Sequence, residues 1–188
     1  MFYILVHFPD IDYSKINLFR KKYDPTYRVI DPHITLMFPI PASVGEKNLT
    51  QHLTAVLKSV NPSSIHMAGF IKSWDHWLFL TLKEGNSEVI QLYDQIYSGI
   101  LSSYKRSDIP FIPHIGLGLF TKKGADYSLL DPQEVELDQK RYDKALKEAE
   151  SLDLDHKSVL DKVSLLKLNH DLSKVICRKE MYLNHLIT

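Results

Sequence analysis

Apolar and polar positions change their period several times along the chain. Residues 2–8 alternate, with Phe2, Ile4, Val6 and Phe8 set against Tyr3, Leu5 and His7, which predicts a strand that Pro9 and Asp10 end. Residues 12–23 carry Ile16, Phe19 and Tyr23 at helical spacing, and a turn containing Pro25 follows. Residues 33–38 read as the next strand, with Pro32 at a place where proline can open a strand but could not sit inside a central one. A helix is predicted over 47–60, stopped by Asn61 and Pro62, then a hairpin of strands 64–72 and 76–82. Asn86 suits the N-cap of a helix running to about Tyr104, and 111–120 is a strand again. Asp131 and Pro132 open the longest predicted helix, to about Asp153, whose mixed charges fit a solvated face. Two last strands, 158–168 and 173–183, flank the turn HDLS. This order predicts an α+β fold with predominantly antiparallel pairing. No low-complexity linker divides the chain, so residues 1–188 are expected to form one domain.

One short stretch occurs twice. Pro32-His33-Ile34-Thr35-Leu36 returns as Pro113-His114-Ile115-Gly116-Leu117, with four of five positions matching. Successive strand residues point to opposite faces. Ile34, Leu36 and Phe38 should therefore share one face, and His33 and Thr35 the other. Likewise Ile115, Leu117 and Leu119 should oppose His114, Gly116 and Gly118. The apolar faces suit packing under helices. The opposite faces, with a histidine, a hydroxyl and two glycines that let a ligand approach the backbone, suit a cleft. A lone strand histidine is ordinarily structural, but two in matching frames make an accidental match a poor account.

Composition narrows the chemistry. The 188 residues include 44% apolar and 11% aromatic positions, enough for a core. The 23 basic and 23 acidic side chains cancel, which argues against a surface built to track long nucleic acid but leaves room for a nucleotide or a short RNA end in a cleft. The single cysteine, Cys177, excludes an intramolecular disulfide, fits a reducing compartment, and within the run VIC reads as a buried small hydrophobe. The apolar N-terminus is too short for a signal peptide or a span, so a soluble, cytoplasmic monomer with no membrane association is expected. No His-x-x-x-His, cysteine pair or Asp-x-Asp run offers metal-ligand spacing, and no cofactor is implied.

On these two motifs the chain resembles the 2H phosphoesterases, the 2′–5′ RNA ligase-like superfamily, whose signature is two copies of His-x-Thr/Ser-x on strands. His33-Ile34-Thr35-Leu36 matches in full, and His114-Ile115-Gly116-Leu117 matches except that Gly116 replaces the hydroxyl residue. The stretch RKKYDPTYRVIDPHITL is similar to the approach to the first motif in bacterial members. The resemblance implies two pseudo-symmetric lobes, each an antiparallel sheet with helices outside, and a central cleft. It also implies metal-independent acid–base catalysis by His33 and His114 on a cyclic or 2′–5′ phosphodiester, with Thr35 and Gly116 at the substrate.

Histidine suits both proton transfers near neutral pH. Thr35 is placed to donate to a phosphoryl oxygen, whereas Gly116 has only its backbone N–H, or a nearby group such as Thr121, to offer. Trp74, Trp77, Phe70 and Phe79 suit base stacking, though most are read as core. Tyr3 and His7 share a face that would border the cleft, and Arg106, Lys122 and Lys123 lie near the second motif, where solvated surface charge is the simpler account. His52, His66, His76, His156, His170 and His185 have no repeated context. Three rival readings remain: a non-catalytic module binding a nucleotide or RNA end, a 2′–5′ RNA ligase acting on tRNA-like RNA, and a structural protein whose repeat is a folding relic.

Overall fold

The computed structural model describes residues 1–122 and 136–184. In chain order the elements are β1 (Phe2–His7), α1 (Ser14–Tyr23), β2 (Ile34–Pro41), α2 (Glu46–Lys58), β3 (Ser63–Lys72), β4 (Trp77–Glu84), α3 (Asn86–Ile96), β5 (His114–Leu119), α4 (Gln139–Ser151), β6 (His156–Leu160), β7 (Lys162–Leu168) and β8 (Val175–Tyr182).

The strands pair antiparallel throughout, in the order β6-β3-β4-β5-β2-β1-β7-β8. This is the expected α+β architecture of two related halves. One half is β2-β1-β7-β8, the other β5-β4-β3-β6, and a motif strand leads each. They meet where Ile34 pairs with Ile115. Because equivalent residues of the two motifs face each other across an antiparallel pair, a local twofold axis passes between them. That seam is narrow, and the helices reinforce it: α1 packs on β5 of the other half, and α3 packs on β2. The main core runs beneath both, through Phe19, Ile34, Leu36, Leu92, Ile115 and Leu117.

Local sequence explains most elements. Helix α2 buries Leu49, Leu53 and Leu57 at i, i+4 and i+8, which makes the apolar stripe that docks it. Helix α3 starts one residue earlier than a cap at Asn86 would place it. Gly85, at φ 86°, is the N-cap, and a Cβ there would lie 2.7 Å from the Ser64 carbonyl oxygen. The Asn86 amide instead donates back to the Leu82 carbonyl at 3.0 Å. The helix stops at Ile96, and a short 3₁₀ segment carries the chain over 99–104. In α4 the Asp138 carboxylate accepts the Arg141 N–H at 3.0 Å as an N-cap. The predicted start at Asp131 and Pro132 lies outside the described residues, but the helix is shorter than expected: it begins only at Gln139, because Leu137 is extended and bridges to Thr121.

Two expectations near the C-terminus are corrected. The stretch expected as one strand, 158–168, belongs to two: β6 pairs with β3, and β7 pairs with β1 in the other half. Asp161 alone separates them, its carbonyl accepting the Leu183 N–H at 2.9 Å. Cys177 is exposed rather than buried, because β8 is an edge strand and most of its residues face solvent. Among the described residues no helix is long and apolar enough to cross a membrane.

Candidate active site

Each motif strand carries a bulge at the same motif position. Val6 faces Thr35 and Leu5 faces Met37, so Leu36 is the extra residue. Phe79 faces Gly116 and Leu78 faces Gly118, so Leu117 is the extra residue. A bulge reverses the in–out alternation beyond it. Met37 therefore turns into the core and Phe38 to the cleft, against the expectation from simple alternation. In the second copy Gly118 turns toward α1, where a Cβ would stand 2.6 Å from Tyr23 Cβ. Leu119 leaves the main core and packs with Trp77 and Phe79. Only one of the two glycines expected at the cleft, Gly116, lines it.

The four residues singled out in the two motifs meet at one place. His33, Thr35, His114 and Gly116 line a single cleft of about 440 Å³ across the seam. The backbone holds both imidazoles in the same way. His33 Nδ1 lies 2.8 Å from the Asp31 carbonyl oxygen, and His114 Nδ1 lies 2.5 Å from the Ile112 carbonyl oxygen. A carbonyl only accepts, so Nδ1 carries the proton in each ring, and Nε2 is left with its lone pair. Each imidazole keeps some surface open to the cleft while protein surrounds the rest. That desolvation pulls both pKa values down to about 4, against the partial compensation of the carbonyl bonds. The Arg20 charge lowers His33 further; at His114 the neighbouring His33 lowers and Asp75 raises.

The surroundings of the two rings differ. Phe79 stacks on His114 with centroids 3.4 Å apart and planes 18° from parallel. His33 has a tilted contact with Phe8 at 6.1 Å. Trp77 lies over Gly116, and a Cβ at Gly116 would meet its ring at 3.4 Å. Trp74 and Phe111 extend this aromatic wall. Of the four aromatics weighed from the sequence, Trp74, Trp77 and Phe79 line the cleft, while Phe70 packs against the main core.

Several other expectations fall away. Tyr3 and His7 are buried on the face opposite the cleft, which Ile4 lines instead. The Tyr3 hydroxyl donates to Glu46 and the His7 Nδ1 to the Lys162 carbonyl. Thr121 forms a bridge with Leu137 and does not line the cleft. Arg106 pairs with Asp108 and Lys122 with Glu136, both outside the cleft, and Lys123 lies outside the described residues. Among the described residues no group of three His, Cys, Asp or Glu is placed to hold a metal ion.

A buried ion pair forms part of the cleft wall. Arg20, only 1% exposed, donates from Nε to Asp24 at 2.6 Å and from Nη2 to the Ile30 carbonyl at 2.9 Å. The other Asp24 oxygen accepts from both the N–H and the hydroxyl of Thr26 at 2.7 Å. This clamp fixes the chain that leads into His33. Its i,i+4 spacing is readable in RKKYD, but nothing in the sequence says that the pair is buried.

The family model of the 2′-5′ RNA ligase superfamily matches residues 8–170. The chain belongs to that superfamily. Its relatives include a Geobacillus thermodenitrificans protein with a provisional phosphoesterase name, 32% identical over 114 residues, which cover 60% of this chain and 64% of the relative. A similarly named Bacillus licheniformis protein is 32% identical over 118 residues, 61% of this chain and 69% of the relative. The match thus spans slightly under two thirds of the first of these. Among solved structures, E. coli LigT complexed with 3′-AMP aligns over 98% of both chains with a TM-score of 0.59 at 16% identity. A crystal structure of a phosphoesterase aligns over the same share with a TM-score of 0.61 at 15% identity. At such identities these structures speak for the superfamily fold.

Proposed function

We propose that the chain is a phosphoesterase that opens a cyclic or 2′–5′ phosphodiester of a nucleotide or RNA end, with His33 and His114 as its acid–base pair. The observation that carries this reading is the twofold meeting of the two imidazoles, each tethered through Nδ1 to the carbonyl two residues before it. Such a tether fixes the tautomer and leaves Nε2 for proton transfer. In this reading residues 1–188 act as one bilobal domain, since the site needs a strand from each half.

Hydrolysis requires one neutral and one protonated imidazole. The neutral ring takes a proton from water as its oxygen bonds to phosphorus. The protonated ring gives its proton to the departing ribose oxygen as the P–O bond breaks. Ligation would put a 5′-hydroxyl in the place of water: the neutral ring takes its proton as its oxygen bonds to phosphorus, and the protonated ring again protonates the departing ribose oxygen. With both pKa values near 4, the two imidazoles of the free site are uncharged at neutral pH. An anionic phosphodiester raises the affinity of the adjacent ring for a proton, so the substrate itself favours the protonated state it needs. The Thr35 hydroxyl donates to a phosphoryl oxygen where charge builds. On the other side Gly116 offers no side-chain donor, and Trp77 supplies an apolar surface for a nucleoside. The nucleotide seen with E. coli LigT, 3′-AMP, has the size and chemistry of such a ligand.

The test is turnover of nucleoside 2′,3′-cyclic phosphates. Wild type should turn them over, and His33→Ala and His114→Ala should each lower kcat by roughly 10²–10⁴. Turnover that survives both substitutions overturns the assignment. A binding module without catalysis is the second reading, favoured by Gly116 standing where the motif has a hydroxyl. It predicts binding of 3′-AMP with no turnover of any cyclic phosphate.

A further inference from the structure

Gly116 leaves the second motif without a hydroxyl, and the cleft wall holds a donor that no protein group uses. Arg20 is buried in that wall. Its Nε donates to Asp24 and its Nη2 to the Ile30 carbonyl, but its Nη1 is buried without a hydrogen-bond partner. Asp24 has little left to offer it: one carboxylate oxygen accepts from Nε, the other from both the N–H and the hydroxyl of Thr26. A buried donor on a charged group is costly to leave unpaired. Two further charged side chains line the cleft. Lys72 is exposed and lies over the Tyr142 ring, and Asp75 accepts from the Ser73 hydroxyl.

Arg20 also sits on the side of the seam that lacks a donor. Helix α1 packs on β5, and Tyr23, three residues beyond Arg20, closes against Gly118. One step along the antiparallel pair from Ile34 and Ile115, His33 and Gly116 stand opposite each other. His33 is close enough to Arg20 to feel its charge.

We propose that Arg20 replaces the missing hydroxyl of the second motif: its free Nη1 donates to a non-bridging oxygen of the phosphoryl group held between His33 and His114. This rests on the function proposed above and adds a catalytic residue to it. Thr35 serves one non-bridging oxygen and Arg20 the other, and the bond from the guanidinium gains most as negative charge builds there. Ile30, whose carbonyl takes Nη2, is half-buried in the same wall, so a small shift of its segment opens Nη1 to a ligand oxygen. Asp24 holds the guanidinium in place and offsets part of its charge.

The first test is a rescue. Arg20→Lys keeps a cation beside Asp24 but loses the planar fork, and should lower kcat on a nucleoside 2′,3′-cyclic phosphate by roughly 10². Adding Gly116→Ser, which restores the hydroxyl, should raise kcat about tenfold or more in that background and about threefold at most in wild type. A clamp that only supports the fold gives no such coupling. The second test is binding of inorganic phosphate by titration calorimetry, which needs no turnover and stands even if Arg20→Lys fails to fold. Asp24→Asn keeps an acceptor for Nε and releases the charge, so it should tighten phosphate binding about tenfold. Wild-type kcat in Arg20→Lys, a loss that Gly116→Ser does not relieve, or the same phosphate affinity in wild type and Asp24→Asn overturns the role of Arg20. Absence of cyclic phosphate turnover in wild type refutes the proposed function instead, and the phosphate titration still decides whether Arg20 binds the anion.

Discussion

The two motif strands share a backbone and differ in what surrounds it. Both bulge at the fourth motif position, Leu36 and Leu117, and both tie a histidine Nδ1 to the carbonyl two residues earlier. Their side-chain settings have parted. One strand keeps a hydroxyl at Thr35 and has the Arg20–Asp24 clamp behind it. The other has Gly116 under Trp77, with Phe79 stacked on its histidine. Where the imidazoles sit is therefore a property of the twofold backbone, while the side chains beside them differ. Under the proposed function the first side would give a ligand a hydrogen bond and the second a flat apolar surface.

The sharpest way to break this division is to remove the one hydroxyl. Thr35→Val should lower kcat by roughly 10²–10³, because a preorganised donor to the phosphoryl group is lost. Gly116→Ala should change kcat little, since no donor stands there to lose. Equal effects in a steady-state assay with a cyclic nucleotide would show that the two sides do not differ as described. Next in size is the clamp behind His33. Arg20→Ala leaves Asp24 buried without its cation and should cost about 3–5 kcal/mol in urea unfolding. The second strand has no buried ion pair of this kind among the described residues.

The smallest expected effect is on stability against pH, and it treats the two halves alike. The folded imidazoles titrate near 4, whereas an unfolded histidine titrates near 6.5. Between these values the unfolded chain binds more protons. Stability is thus full above about pH 6.5 and declines as pH falls toward 4. His33→Gln and His114→Gln should each flatten that decline in thermal melts across the window. His7, buried with its pKa also lowered, leaves a residual slope in both variants.

Much of this was legible in the sequence because it depends on local pattern. The repeated Pro-His-Ile, the strand periods and the α2 stripe are local features, and they pointed to the α+β architecture and to the four motif residues that line the cleft. What escaped depends on tertiary partners. The bulges at Leu36 and Leu117 exist only relative to β1 and β4, so the facing of Phe38, Gly118 and Leu119 could not be read from alternation. Asp161 splits a run of strand formers with no glycine or proline to mark it, because its two sides pair in different halves. Cys177 sits in an apolar run, yet its strand ends the sheet. Trp77 and Phe79 looked like hairpin core, yet Trp77 lies over the bare Gly116 and both rings line the cleft.

The proposed chemistry requires both imidazoles to touch one phosphate. The most direct measurement is a titration of ¹⁵N-histidine-labelled protein with 3′-AMP, following the imidazole nitrogens of His33 and His114. The Nε2 signals of both should move together along one saturation curve with a single dissociation constant, while both Nδ1 nitrogens stay protonated. Movement of one histidine alone, or of the two with different dissociation constants, would contradict a shared phosphate.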